Sequence, residues 1–145
     1  MPIQIPLEKW SGKVKEVTIG ATKAQGGTRS HTVTVGGETT LPFLHFEGQI
    51  PHPPVAALEI KSRRPADWSP LLLETWGAVV DEPGAWAKAA EAAGADFLVL
   101  TFTLEDSAAD ARRVLRQVLD ATGLPLAVFG PGQDEKDNEL IMAAA

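Results

Sequence analysis

The chain has 145 residues, with 13 Lys and Arg against 19 Asp and Glu, a formal net charge of −6. That length suits one domain, and the acidic balance gives no broad field for phosphate backbones, so nucleic acid is not an expected partner. The cysteine count of zero excludes disulfides, thiolate nucleophiles, cysteine-bound zinc and an iron–sulfur cluster held by this chain.

The amino-terminal third lacks helical periodicity. Lys13–Ile19 is a short β-leaning run, and Thr32–Val35 is a second, closed by Gly36 and Gly37. Between them lies Gly20–Ser30, a polar loop whose paired glycines permit positive φ. The expectation is an antiparallel hairpin with a wide loop. Leu41–Pro54, rich in Pro and aromatics, reads as an extended lead-in, so residues 1–54 form a hairpin and lead-in ahead of a βα region, 55–145.

Val55–Ile60 reads as a buried strand, and Asp67 with Pro70 as the start of a short helix through Leu71–Leu73 and Trp76. A longer helix is expected from Asp81 as cap with Pro83 in the first turn, with Trp86, Ala89, Ala90 and Ala93 on one face and Gly94 at the end. Phe97–Phe102 is almost wholly apolar, as for a parallel strand covered on both faces. Asp106 or Ser107 caps the next helix, whose stripe is Ala111, Val114, Leu115, Val118 and Leu119, stopped by Gly123 and Pro125. Leu126–Phe129 is a third strand, and Asp134 caps a last helix over Glu135–Met142. The order, a hairpin and then β-α-β-α-β-α, argues for an α/β fold with parallel strands and right-handed crossovers. Either this is a small open sheet, or it is the front portion of an eight-stranded barrel, which needs roughly 250 residues.

Most candidate motifs fail on chemistry. Aligned as a phosphate-binding loop, the glycine-rich segment has Ala21 at the first glycine position and Gly27 at the lysine position. Gly130-Pro131-Gly132 follows a strand as a dinucleotide fingerprint would, but Glu135 replaces the third glycine and would oppose a pyrophosphate. His31, His45 and His52 lie in extended chain with no third ligand at useful spacing, so no metal site is expected. Asp81 and Glu82 read as capping and dipole compensation before Pro83 rather than an acid–base pair. No serine sits in a Gly-x-Ser-x-Gly elbow. No run approaches the roughly 18 apolar residues of a membrane helix, and no signal sequence opens the chain, which points to a cytoplasmic protein off the membrane.

Four stretches carry a resemblance: Gly20–Glu38, Leu41–Gly48, Asp81–Ala87, and Glu135-Lys136-Asp137 after a strand ending in glycine. From about Val14 to the end, the chain resembles the amino-terminal part of the small subunit of the corrinoid iron–sulfur protein, a family that includes the delta subunit of acetyl-CoA decarbonylase/synthase. The resemblance implies a (β/α)8 TIM barrel about twice this length, paired with a larger subunit that carries the corrinoid (cobalamin) and a four-iron cluster. It also implies a non-catalytic role in moving a methyl group between a tetrahydropterin-dependent methyltransferase and the nickel site of acetyl-CoA synthase. The chain covers only the hairpin and about three βα units, so five strands are missing and no cofactor is expected on this chain alone.

In a barrel, the loops after the three strands lie on the carboxyl-terminal face, where ligands bind. The expected corrinoid-side residues are therefore Lys61 and Ser62, Thr103 and Glu105, and Gly130 and Gly132. The hairpin loop is the expected subunit contact, through Lys23, Gly26, Gly27, Thr28, Arg29 and His31, with the planar fork of Arg29 suited to a partner carboxylate. Its bland alternative is a loop shaped by its glycines, with Thr28 and Arg29 bonded to nearby carbonyls and carboxylates. Two other functions compete. A pterin-binding methyltransferase barrel would need Asp and Asn at strand ends, where the chain offers Glu59, Thr101 and Thr103. A standalone interaction module would bind another chain through the hairpin and open sheet edges, and those edges also predict self-association.

Overall fold

The computed structural model describes residues 3–145. Strands β1 (Val17–Ile19) and β2 (Val33–Val35) pair antiparallel, with Val17 opposite Val35, Thr18 opposite Thr34 and Ile19 opposite Val33. The pairing is shorter than the β-leaning runs because Gly36 and Gly37 both take positive φ, 88° and 86°. Their left-handed turns bend the ladder, which resumes as single bonds from Val14 N to Glu38 O and from Gly37 N to Val14 O.

The wide loop is ordered by its own side chains. Thr22 and Gln25 form a capping box around the 3-10 turn Lys23–Gln25, and Gly26 follows at φ 82°. Gly27 answers to a different constraint. A Cβ there would run into the carbonyl of Ala21, which accepts from Arg29 N at 2.9 Å. The two glycines are thus required for separate reasons, conformation at Gly26 and close approach at Gly27.

Leu41–Gly48 is not an extended lead-in. It is a turn-rich loop closed by Thr39 N to Gln49 O at 3.0 Å, Gln49 N to Thr39 Oγ1 at 2.9 Å and Thr40 Oγ1 to Leu44 O at 3.0 Å. The threonine hydroxyls supply backbone partners that an extended chain would leave to water.

The remainder is three βα units. Strands β3 (Ala57–Lys61), β4 (Phe97–Thr101) and β5 (Leu126–Phe129) form a parallel sheet in the order β3-β4-β5. Between them run α1 (Pro70–Trp76), a 3-10 turn (Gly77–Asp81), α2 (Pro83–Ala92) and α3 (Ala108–Ala121), with α4 (Asp134–Ala144) last. Helices α2, α3 and α4 pack side by side. The core lies between them and one sheet face: Ile60, Leu98 and Leu100 are fully buried against Trp86, Ala90, Val114, Val118 and Leu140. Along β4 burial alternates, with Leu98 and Leu100 buried but Phe97, Val99 and Thr101 half-buried. The apolar run is therefore fully covered on one face only, since the second face receives no helix.

Several caps differ from expectation. Ser69, not Asp67, caps α1, accepting from Leu72 N with Pro70 at the first helical position. Asp81 ends the 3-10 turn and pairs with Arg64 at 2.8 Å, leaving Glu82 at the α2 cap without a side-chain bond. The buried stripe of α2 is Pro83, Trp86, Ala87 and Ala90; Ala93 lies outside the helix and is exposed. Of the two caps expected for α3, Ser107 is the one used, in a capping box with Asp110. Gln133 occupies the α4 cap position, and Asp137 Oδ1 accepts from the Gly132 and Gln133 amides at 3.0 and 3.2 Å. Ser69 and Ser107 reach the free amides of their helices, whereas Asp81 is drawn to a partner charge instead.

Candidate functional site

Parallel strands bring every β→α loop to one edge of the sheet. At this carboxyl-terminal edge the loops after β3 and β4 are fastened by Asp106, whose carboxylate is only 2% exposed. Oδ2 accepts from Ser62 Oγ at 2.5 Å, Thr103 N at 2.7 Å and Thr103 Oγ1 at 3.1 Å. Oδ1 accepts from Arg63 Nη2 at 2.5 Å and Nε at 3.1 Å, and Arg63 Nη1 reaches on to Glu105 at 2.9 Å. Burial pushes the Asp106 carboxyl up, but the bonds from Ser62, the Thr103 amide and Arg63 together outweigh it and hold it below the usual carboxylate range. The same bond to Asp106 raises the Arg63 pKa.

Two open cavities flank this network. One, of about 400 Å³, is lined by Ser62, Arg63, Arg64, Asp81, Asp106 and Arg113 among others. The second, of about 300 Å³, is lined by Lys61, Arg63, Arg64, Thr103, Leu104 and Glu105 among others. Lys61 is held at the second rim, 3.8 Å from Asp67 and 5.9 Å from the Trp68 ring centroid. Trp68 in turn meets the buried Trp86 edge-on at 5.2 Å.

Of the expected corrinoid-side residues, Lys61, Ser62, Thr103 and Glu105 are thus gathered around Asp106 and Arg63. Gly130 and Gly132 occupy the same edge beyond β5, where Gly130 abuts Asp137 so closely that a Cβ would collide with its carboxylate. Arg63 and Asp106 lie within the loops Lys61–Arg64 and Thr103–Asp106, where corrinoid-side contacts are expected, although neither is singled out there by its sequence. Asp106 was read as a possible cap, and the signal available was its position three residues after Thr103, the spacing of a side chain that folds back on a preceding amide.

The expected subunit-contact residues lie at the opposite end of the sheet. Arg29 donates from Nη1 to Thr122 O at 2.8 Å and Leu124 O at 3.3 Å, and from Nη2 to Leu119 O at 3.0 Å. Its fork therefore satisfies carbonyls at and just beyond the end of α3, as in the alternative in which Arg29 bonds nearby carbonyls. Ser30 Oγ donates to Gly123 O at 2.9 Å, and His31 Nε2 lies 3.1 Å from Asp96 O. Gly27 is half-buried against Ala21, while Lys23, Gly26 and Thr28 remain exposed. The loop is a plug under β4 and β5. The other histidines go elsewhere: His52 bonds Glu16 at 2.9 Å, and that bond lowers the Glu16 pKa, while His45 sits beside Phe46. Among the described residues no helix is long and apolar enough to cross a membrane.

The sequence profile of the CO dehydrogenase/acetyl-CoA synthase delta subunit matches residues 16–145, spanning both the plug and the carboxyl-terminal edge. The chain belongs to this family. It is 41% identical over 145 residues to the acetyl-CoA decarbonylase/synthase complex subunit delta of Archaeoglobus fulgidus, covering 95% of this chain and 32% of that protein. It is 33% identical over 141 residues to the corresponding subunit of Methanopyrus kandleri, covering 92% of this chain and 35% of that one. Subunit delta 1 of Methanosarcina thermophila is 32% identical over 146 residues, at 96% and 33% coverage. The chain thus spans about a third of the length of these delta subunits, less than the half that the resemblance implied.

Proposed function

We propose that this chain is a non-catalytic part of a corrinoid methyl-carrier assembly in the acetyl-CoA decarbonylase/synthase pathway, and the front portion of a (β/α)8 barrel. The observation that carries the reading is the family match across residues 16–145. The sequential strand order β3-β4-β5, helices on one face and an uncovered second face support a barrel that continues beyond these strands. The partner is a larger subunit bearing the corrinoid and an iron–sulfur cluster, with a methyltransferase and the acetyl-CoA synthase meeting the assembly transiently.

The carboxyl-terminal edge is the face turned toward that subunit. Its cavities, about 400 and 300 Å³, sit at the low end of the range that encloses a drug-sized molecule. A corrin macrocycle exceeds either, so this edge covers part of a corrinoid that the larger subunit holds. The cobalt centre supplies the methyl-carrying chemistry; Lys61, Ser62, Thr103, Glu105, Gly130 and Gly132 supply surface and hydrogen bonds around it. At the other end, exposed Lys23, Gly26 and Thr28 are left for a separate subunit contact.

The test is titration of the full natural polypeptide against the large subunit by calorimetry, with Leu104→Arg as the perturbing variant. Leu104 is 52% exposed on the proposed face. Binding that is lost in the variant supports the reading, and binding that is absent or indifferent to it contradicts the reading.

A further inference from the structure

The sheet face that receives no helix carries a carboxylate among apolar neighbours. Ile60 is fully buried on the helix side of β3, so Glu59 before it points the other way, from the middle of the strand. It lies opposite Val99, with Phe97 and Thr101 to either side on β4 and Ala127 beyond on β5. Glu59 is exposed, and among the described residues it has no ion pair. The cation on the same strand, Lys61, is drawn over the end of the sheet to Asp67 and the Trp68 ring, while Arg63 and Arg64 are held at the rim by Asp106 and Asp81. We infer that Glu59 is one half of an ion pair inside the closed barrel, and that the other half is a Lys or Arg on the strand that closes the barrel against the free edge of β3.

This inference rests on the proposed barrel. The chain spans 32% of the Archaeoglobus fulgidus delta subunit, so a full delta polypeptide has the length to cover this face. The bore of an eight-stranded barrel is filled with side chains rather than water, and a residue midway along its strand is then cut off from solvent. A bare carboxylate there is strongly unfavourable, and buried glutamates are almost always paired. The described neighbours cannot supply the pair, since β4 and β5 present only Phe97, Val99, Thr101 and Ala127 around it. One flank of β3 is taken by β4, and the order β3-β4-β5 leaves the other flank for the last strand to arrive. The cation therefore comes from that strand, next to Glu59. A slip of the closing strand by one residue would turn its cation out of the bore, so the pair also sets the register of closure.

The experiment is urea unfolding of the full natural polypeptide carrying Glu59→Gln, Glu59→Leu or Glu59→Asp. Removing one half of a buried pair leaves the other uncompensated, so Gln and Leu are each expected to raise the unfolding equilibrium constant on the order of a hundredfold. Glu59→Asp keeps the charge and should lose markedly less than either, which keeps the test decisive should Gln or Leu fail to fold. A Gln variant as stable as the parent means a neutral carboxyl or a neutral hydrogen-bond partner. A gain in stability with both Gln and Leu means a buried charge with no partner. Either result overturns the inference, as does an Asp variant no better than Leu. Val99→Asp separates this outcome from failure of the barrel itself, because it places a second carboxylate opposite Glu59. If Val99→Asp is tolerated within about tenfold, the cost of a poor strand former on an open face, the face is uncovered and the barrel reading fails. If Val99→Asp is severely destabilising while Glu59→Gln is tolerated, the barrel stands and the ion pair alone fails.

Discussion

Two arginines at opposite ends of the sheet show how context decides what a side chain does. Arg29 is half-buried and wraps the end of α3, taking the Leu119 carbonyl in its last turn and the Thr122 and Leu124 carbonyls of the chain that leaves it. Arg29→Ala is expected to cost about 1–3 kcal/mol, read as a lowered urea midpoint, because those part-buried carbonyls lose their donors. Arg29→Lys should recover little, since an ammonium cannot span the same oxygens. Unchanged stability would return Arg29 to the role of partner anchor. Asp106 carries a pH signature. Its folded-state pKa lies below the unfolded value, so its contribution is present above the ordinary carboxylate range and lost as pH falls through the lowered value. Urea midpoints between pH 7 and pH 3 should therefore fall more for the parent chain than for Asp106→Asn. Equal slopes would mean the carboxylate is not held as described.

At the scale of elements, α3 has the most complete start in the chain. Ser107 Oγ accepts from Asp110 N at 3.2 Å, and Asp110 Oδ2 accepts from Ser107 N at 3.1 Å. The Ser107 side chain, then its amide and Arg113, lower the Asp110 pKa to about 2. Ser107→Ala is expected to destabilise the protein by about 1 kcal/mol, seen as a drop in melting temperature with unchanged helix content by circular dichroism. This element was also the most legible from sequence. Five apolar residues at helical spacing, a cap and a terminating Gly-Pro left one consistent solution, and Leu126–Phe129 emerged with its bounds intact. What stayed hidden was set by tertiary partners. Asp81 turned to Arg64, and Asp106 turned inward to Ser62 and Arg63, because each found a charge far along the chain that no local pattern encodes. Arg29 is the same case: its partners are some ninety residues away. The gathering of Lys61, Ser62, Thr103 and Glu105 on one edge was legible because parallel strands force it; the carboxylate that fastens them was not.

For the whole molecule, the layering is lopsided. Helices cover one face of the sheet, the glycine loop closes the amino-terminal end, and the second face carries half-buried Phe97 and Val99 and a Phe129 that is 58% exposed. Both outer strands, β3 and β5, offer unpaired edges. The isolated 145-residue chain is therefore expected to dimerise or associate further in light scattering, and a monomer at high concentration would show that the bare face is tolerated. In the proposed assembly the carboxyl-terminal edge faces the large corrinoid subunit. Amide hydrogen exchange of the full polypeptide, with and without that subunit, tests it most directly. Slowed exchange is expected at residues 61–64, 103–106 and 130–132 on complex formation. Protection at residues 23–31 without protection at the edge, or none at either end, would contradict it.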